Sequence, residues 1–251
     1  MEIKNQWIEA QNYRVSRRVY TGKQLEKNEM QAIKNLIYKI NHESGLKFQF
    51  IEDCSQLFNG FSASYGMIKG LNSCIALVGN INIENLKTKI GYYGEMIVLE
   101  ATSMNLGTCW IGGTYNKKEC SKYADLGENE KLVCVIAIGH IKDEKSIREK
   151  FISKINKGRK SFDEILLDKD LKTPQWVREG INSAIKAPSA LNKQPIGYSF
   201  KDNIVKAYIT KENHGFEEVD LGISMLHFKL GSYSEGNYGN WEWIDGENLY
   251  K

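Results

Sequence analysis

Only three prolines interrupt this chain, Pro174, Pro188 and Pro195, and the last two bracket a single polar segment. Long hydrophobic runs are also missing. The most apolar stretch, residues 132–138, is far too short to cross a bilayer. Residues 1–11 mix charged and polar side chains and lack the apolar core of a signal peptide, so the expectation is a cytoplasmic protein without a membrane role. Neither sign of charge dominates: 34 Lys and Arg face 31 Asp and Glu, for a net charge of +3, which argues against nucleic acid as a partner. The five cysteines, Cys54, Cys74, Cys109, Cys120 and Cys134, are odd in number and show no metal-knuckle or redox-pair spacing. They read as buried thiols in a reducing compartment. The four histidines lack ligand spacing, so no metal site is expected. No GxxxxGK or GxGxxG run occurs, which excludes a built-in dinucleotide domain.

What is present is enough apolar residue, 41% with 11% aromatic, to bury a large core, and a pattern of alternating helices and strands. Residues 24–41 carry Met30, Ile33, Ile37 and Ile40 at helical spacing, and residues 48–51 read as a strand. Residues 74–78 and 133–138 read as buried strands. Between them Ile90, Gly94, Ile97, Ala101 and Met104 mark a long helix that stops at Gly107, followed by an extended piece at 108–111 and Gly112-Gly113. Residues 146–155 read as a basic amphipathic helix with a solvated face. The pattern then starts again: a helix over 173–187, strands at 198–200 and 205–209 around Asp202-Asn203, and a second long helix over 220–234. The echo is imperfect, because the Gly94 to Gly107 interval does not match Gly222 to Gly236. No Pro- or Gly-rich linker separates the halves, which excludes independently moving domains.

Three patches carry chemistry. In A-P-S-A-L-N-K-Q-P, residues 187–195, Pro188 halts a helix and Ser189, Asn192 and Gln194 gather donors and acceptors in one turn, as a ring edged with carbonyl and N-H groups requires. In R-V-S-R-R-V-Y, residues 14–20, an extended strand would put Arg14, Ser16 and Arg18 on one face, suited to a phosphate monoester. Residues 157–164 place Lys157, Arg159 and Lys160 around a turn. Taken singly, the two basic patches read as an exposed edge and as surface charge.

In this combination the patches resemble the nitroreductase-like, FMN-dependent oxidoreductases, in outline over the whole chain. The resemblance implies an α+β nitroreductase-like fold: a central, mostly antiparallel sheet flanked by helices, with two related halves, residues 1–170 and 171–251, fused in one chain. It implies that Arg14, Ser16 and Arg18 contact the phosphate, ribityl chain and pyrimidine edge of FMN. Lys157 and Arg159 match the closing basic pair at the phosphate, Pro188, Ser189, Ala190 and Asn192 the loop beneath the isoalloxazine, and Gly112 and Gly113 the backbone facing its N5 edge. No side chain is assigned a catalytic role. Two departures stand out: Ile196 replaces the family's tryptophan after Gln-Pro, and the loop lies in the last third of the chain instead of near its start. In ordinary members two subunits complete the site, so the displacement implies a single-chain pseudo-dimer: a monomer with one FMN, whose vestigial second site is filled by side chains. The implied partners are NADH or NADPH and a small electron acceptor, a nitroaromatic or quinone. A non-catalytic flavin carrier and an oxygen-using flavin enzyme of the same fold are the alternatives.

Overall fold

The computed structural model describes residues 1–55, 68–113, 123–142, 158–168, 172–244 and 246–251. The basic helix expected over residues 146–155, Cys120 and Lys157 lie outside the described residues. The fold is α+β, with antiparallel sheets flanked by helices, and the chain divides into two compact units. The first comprises Met1–Glu2, Tyr13–Leu86 and Ile97–Asn156, and the second Ile3–Asn12, Lys87–Met96 and Lys157–Lys251.

In the first unit, helix α2 (Lys27–Ser44) opens with a reciprocal cap in which Glu29 accepts from the Glu26 backbone N–H at 2.7 Å, and closes on Gly45 at φ +71°. It buries Ile33, Leu36, Ile37 and Ile40. Strands β1 (Gln49–Ile51), β2 (Ser73–Asn80), β3 (Gly107–Ile111) and β4 (Glu130–Gly139) form one antiparallel sheet in the order β1-β2-β4-β3. Central β2 and β4 are buried almost without alternation, as strands covered on both faces must be. Ile51, Cys74, Ala137 and Cys109 line up in one row across the four strands, so three small side chains face the core there. Cys54, Cys74, Cys109 and Cys134 are buried and outside any disulfide, packing as small side chains.

The second unit holds helices α1 (Asn5–Tyr13), α4 (Phe162–Ile165), α5 (Gln175–Lys186) and α6 (Glu217–Ser234), and a second sheet of β5 (Ile196–Lys201), β6 (Ile204–Ile209), β7 (Trp241–Ile244) and β8 (Glu247–Tyr250). Its order is β5-β6-β8-β7, again antiparallel throughout. Asp202 and Asn203, at φ +52° and +61°, make the tight β5–β6 turn. The core is aromatic: Tyr198 stacks on Phe228 with ring centroids 5.2 Å apart, and Trp176, Trp241 and Tyr250 close around them. Helices α5 and α6 cross closely, since a Cβ on Gly231 would overlap the Glu179 backbone and one on Gly180 would strike the Phe228 ring.

Each sheet therefore places its first, second, fourth and third strands side by side, and each set of strands is interrupted by one 18-residue helix, α3 (Leu86–Ser103) or α6. Residues 87–96 of α3 meet α6 within the second unit. Gly91 and Gly222 hold the sixth position of their helices, and their contacts are reciprocal. A Cβ on Gly91 would overlap the Val219 carbonyl and crowd the Ile223 nitrogen, while one on Gly222 would overlap the Thr88 carbonyl and crowd the Tyr92 nitrogen. Residue i meets j and j meets i, so the crossing is reciprocal. Beside this crossing Glu95 and His227, both fully buried, are joined by a 3.0 Å hydrogen bond.

The crossing explains why the sequence echo looked imperfect. The equivalent pairs are Gly91 with Gly222 and Asn105 with Gly236; the latter two sit just past their helices at φ +60° and +77°. Asparagine tolerates the left-handed conformation that ends a helix, so it replaces the glycine expected there. Helix α3 accordingly ends at Ser103, not Gly107. Three elements were not anticipated: α1, which buries Trp7, Ala10 and Gln11, the single-turn helix α4, and the β7–β8 hairpin.

Candidate functional site

In the first unit, the segment after α1 is not the regular strand that its alternation predicted. It makes isolated parallel bridges at Ser16, to Thr108 of β3, and at Val19, to Lys69. Arg17 N–H donates to the Thr108 carbonyl at 2.8 Å, and Tyr20 N–H and the Arg18 carbonyl bond the two backbone groups of Lys69 at 2.8 and 3.0 Å. Burial recurs every third residue, at Arg14, Arg17 and Tyr20, leaving Ser16 and Arg18 partly exposed. The single shared face of Arg14, Ser16 and Arg18 is therefore corrected: Arg14 is turned inward. Tethers at two points, instead of a continuous ladder, let the backbone rotate between them. Arg17 donates to the Lys142 carbonyl at 2.8 Å, and Tyr20 Oη donates to the Arg17 carbonyl at 2.8 Å. Gly112 and Gly113 follow β3 directly, and among the described residues no atom lies within 4 Å of where a Cβ on Gly113 would stand.

In the second unit, α5 buries Val177, Gly180, Ile181, Ser183 and Ala184 and ends where Pro188 forces Ala187 into an extended conformation, φ −56° and ψ 136°. A short turn, Ala190–Asn192, follows. Leu191, Asn192 and Gln194 adopt φ +52°, +56° and +47°, three non-glycine residues in the left-handed region within four positions. Such residues each cost on the order of 1 kcal/mol or more and persist only where surrounding bonds over-determine them.

Those bonds come from the basic segment. The Gly158 carbonyl accepts from Asn192 Nδ2 at 3.0 Å and from Gln194 Nε2 at 3.1 Å, and Lys160 N–H donates to Gln194 Oε1 at 2.9 Å. Ser189 Oγ accepts from the Gln194 backbone N–H at 2.9 Å. Arg159 donates to the Ala187 and Lys186 carbonyls at 2.6 and 3.1 Å, sealing the negative end of α5. The structure thus joins Arg159, Ser189, Ala190 and Asn192, four residues singled out from sequence, in one hydrogen-bonded unit. Burial and the neighbouring Lys211 cation hold the Lys160 ammonium below the usual lysine range, so an anion is favoured beside it.

Two anchors escaped the sequence. Asp220, near the start of α6 and 3% exposed, accepts from the Ala190 N–H at 2.9 Å. Asn213 Nδ2 donates to the other carboxylate oxygen at 2.6 Å and to the Ala190 carbonyl at 2.9 Å. Burial pushes the Asp220 carboxyl up to about 6, against the lowering effect of these bonds. A carboxylate heading an otherwise apolar helix stripe was the available signal. Beneath the loop, a cavity of about 20 Å³ is lined by Ser189, Gln194, Asp220 and Ser224 with apolar walls, enough for one water. Among the described residues no cluster of His, Cys, Asp or Glu could hold a metal, and no helix is long and apolar enough to cross a membrane.

The sequence matches the family model described as "Putative TM nitroreductase" over residues 6–232. The chain belongs to the nitroreductase family. Its fold is similar to that of a "putative nitroreductase" from Thermotoga maritima, at 19% identity and TM-score 0.65, covering 100% of this chain and 95% of that one. Partial matches include an FMN-dependent nitroreductase from Clostridium difficile, at 20% identity and TM-score 0.47 over 55% of this chain and 90% of that one. Another is a Bacteroides fragilis nitroreductase with bound FMN, at 19% identity and TM-score 0.42 over 57% of this chain and 95% of that one. No curated protein matches the chain.

Proposed function

We propose that this member of the nitroreductase family is an FMN-dependent oxidoreductase that takes reducing equivalents from NADH or NADPH and delivers them to a small nitroaromatic, quinone or similar acceptor. The observation that carries this reading is the loop at residues 187–195. Three left-handed residues held by a buried carboxylate and by the basic segment are a costly arrangement, of the kind kept where a rigid ligand must be met. The donors fit FMN: hydroxyl and amide groups at Ser189 and Asn192, guanidinium groups at Arg18 and Arg159, and the hydroxyl of Ser16.

In this reading Lys157 and Arg159 meet the phosphate, and Pro188, Ser189, Ala190 and Asn192 support the ring. Since both backbone groups of Ala190 are already bonded inward, Ala190 contributes shape only. Arg18 stabilises the negative charge that the reduced ring carries, and Gly112 and Gly113 offer backbone N–H without an intervening side chain. Bound FMN supplies hydride transfer through its N5 atom. The chain positions the reactants and excludes water, and no side chain is assigned a catalytic role. We read the repeated strand order and the reciprocal glycine crossing as a fused pseudo-dimer, with halves at 1–170 and 171–251, monomeric and binding one FMN.

The test is the colour of the purified protein and its bleaching under anaerobic NADH or NADPH, followed by recovery on adding menadione or a nitroaromatic. Yellow protein that bleaches and recovers supports the proposal. Yellow protein that never bleaches indicates a flavin carrier, and protein that takes up no FMN refutes the cofactor assignment.

A further inference from the structure

Asp220 is an expensive residue in its place. A carboxylate 3% exposed has lost most of its hydration, and among the described residues the charge acting on it is Glu217, a like charge three residues earlier on the same helix. The groups facing it from other segments are neutral, the Ala190 peptide N–H and the Asn213 amide. Asn213 is itself 1% exposed and is fixed from behind, its backbone N–H donating to Glu217 Oε2 at 2.8 Å. Its orientation is determined: Oδ1 is buried without a hydrogen bond, and the flipped amide would set that oxygen against both the Ala190 carbonyl and the Asp220 carboxylate. Together the two side chains capture both polar groups of the Ala190 backbone, directly before Leu191 and Asn192 turn left-handed. Leu191 is 63% exposed, so its own packing does not hold it there.

We propose that ionised Asp220, acting with Asn213, is the positioning device of the flavin loop: it fixes the Ala190 peptide plane, and its protonation in mildly acidic solution releases the turn and weakens flavin binding without touching the flavin. Each carboxylate oxygen accepts from an N–H, so protonation turns one of them into a neutral hydroxyl, a weaker acceptor, and one of the two charge-assisted bonds loses most of its strength. Burial that raises the carboxyl to about 6 puts this event within reach of ordinary acidification. The cavity under the loop, which Asp220 lines, has room for the water that would take up the freed N–H. The flavin part of this inference rests on the function proposed above, whereas the clamp does not.

The experiment therefore reads both, comparing the full chain with Asp220→Asn between pH 5 and 8. Amide hydrogen exchange at Ala190 needs no flavin. The wild-type amide is expected to be protected at pH 8 and to lose protection, relative to the intrinsic rate, as pH falls through 6. In Asp220→Asn one oxygen replaces two acceptors, so the Ala190 N–H and the Asn213 amide compete for it, and Ala190 is less protected than in the wild type at pH 8. FMN affinity is read as the ratio of variant to wild-type Kd, which cancels titration of the FMN phosphate. That ratio should be at least about tenfold at pH 8, equivalent to ~1.4 kcal/mol, and should shrink towards unity at pH 5. Equal Ala190 protection in both proteins overturns the clamp. A Kd ratio that stays constant with pH reduces Asp220 to a structural residue. Wild-type protection that responds as expected in a protein that takes up no FMN overturns the flavin reading alone. If Asp220→Asn does not fold, the wild-type exchange series with Asn213→Ser, which keeps the Ala190–Asp220 bond and removes the bridge, decides the clamp.

Discussion

Replacing Gly222 by alanine tests the reciprocal crossing of α3 and α6 at its tightest point. A Cβ there would stand 2.7 Å from the Tyr92 nitrogen and 2.8 Å from the Thr88 carbonyl carbon, with the Thr88 oxygen closer still, whereas ordinary contact starts at 3.4 Å. All three atoms are backbone, so no rotamer change relieves the overlap and the helices must part. A separation of about 0.5 Å already forfeits roughly a quarter of the dispersion energy at each facing atom. Overpacking of this kind costs ~1–3 kcal/mol, and backbone obstruction puts this site at the upper end. Alanine returns about 1 kcal/mol through helix propensity, so the net loss is about 2 kcal/mol. Gly91→Ala should cost the same, because its contacts mirror those of Gly222. The double variant should cost distinctly less than the sum, since the second methyl enters a gap the first has opened. Urea unfolding with midpoints and slopes measures all four proteins. Stability equal to or above wild type in either single variant, or full additivity in the double, would refute the reciprocal packing.

Asp220 has a stability signature of its own. Its folded value, about 6, lies above the ordinary 3.8, so the folded state keeps a proton that the unfolded chain releases. The contribution is present in full below about pH 4 and falls by up to ~3 kcal/mol as pH rises to 6. The wild-type advantage over Asp220→Asn in urea should decline across that window and then stay flat; a flat difference throughout would contradict the raised value. Arg18→Ala should weaken FMN binding by roughly one to two decades, the worth of a charge-assisted hydrogen bond, and lower the bound flavin's reduction potential. An unchanged Kd in a folded variant would remove Arg18 from the site. Flavin extraction combined with light scattering should give one FMN per monomeric chain. Two per chain, or one per two chains in an obligate dimer, would show that the duplication is misread.

Local chemistry determined much of this protein. Residues 187–195 turn where Pro188 forbids more helix, Asp202-Asn203 makes the tight hairpin its residue types favour, and the apolar runs of β2 and β4 are central strands. Each of these follows from a backbone preference or a burial pattern within a few residues. The N-terminal helix and the β7–β8 hairpin were missed because their burial depends on partners remote in sequence: Trp241 packs on Phe228, and Tyr250 pairs with both Val205 and Trp241. Only the tertiary structure could show that Gly91, not Gly94, is the partner of Gly222, because the choice is made by which backbone passes within contact distance. Arg14 was assigned to a shared face on strand alternation, and two isolated bridges to β3 and Lys69 changed that phase. For Asp220 the sequence offered only a carboxylate heading an apolar helix stripe; its role lies in the Ala190 peptide 30 residues away, which the fold brings to 2.9 Å.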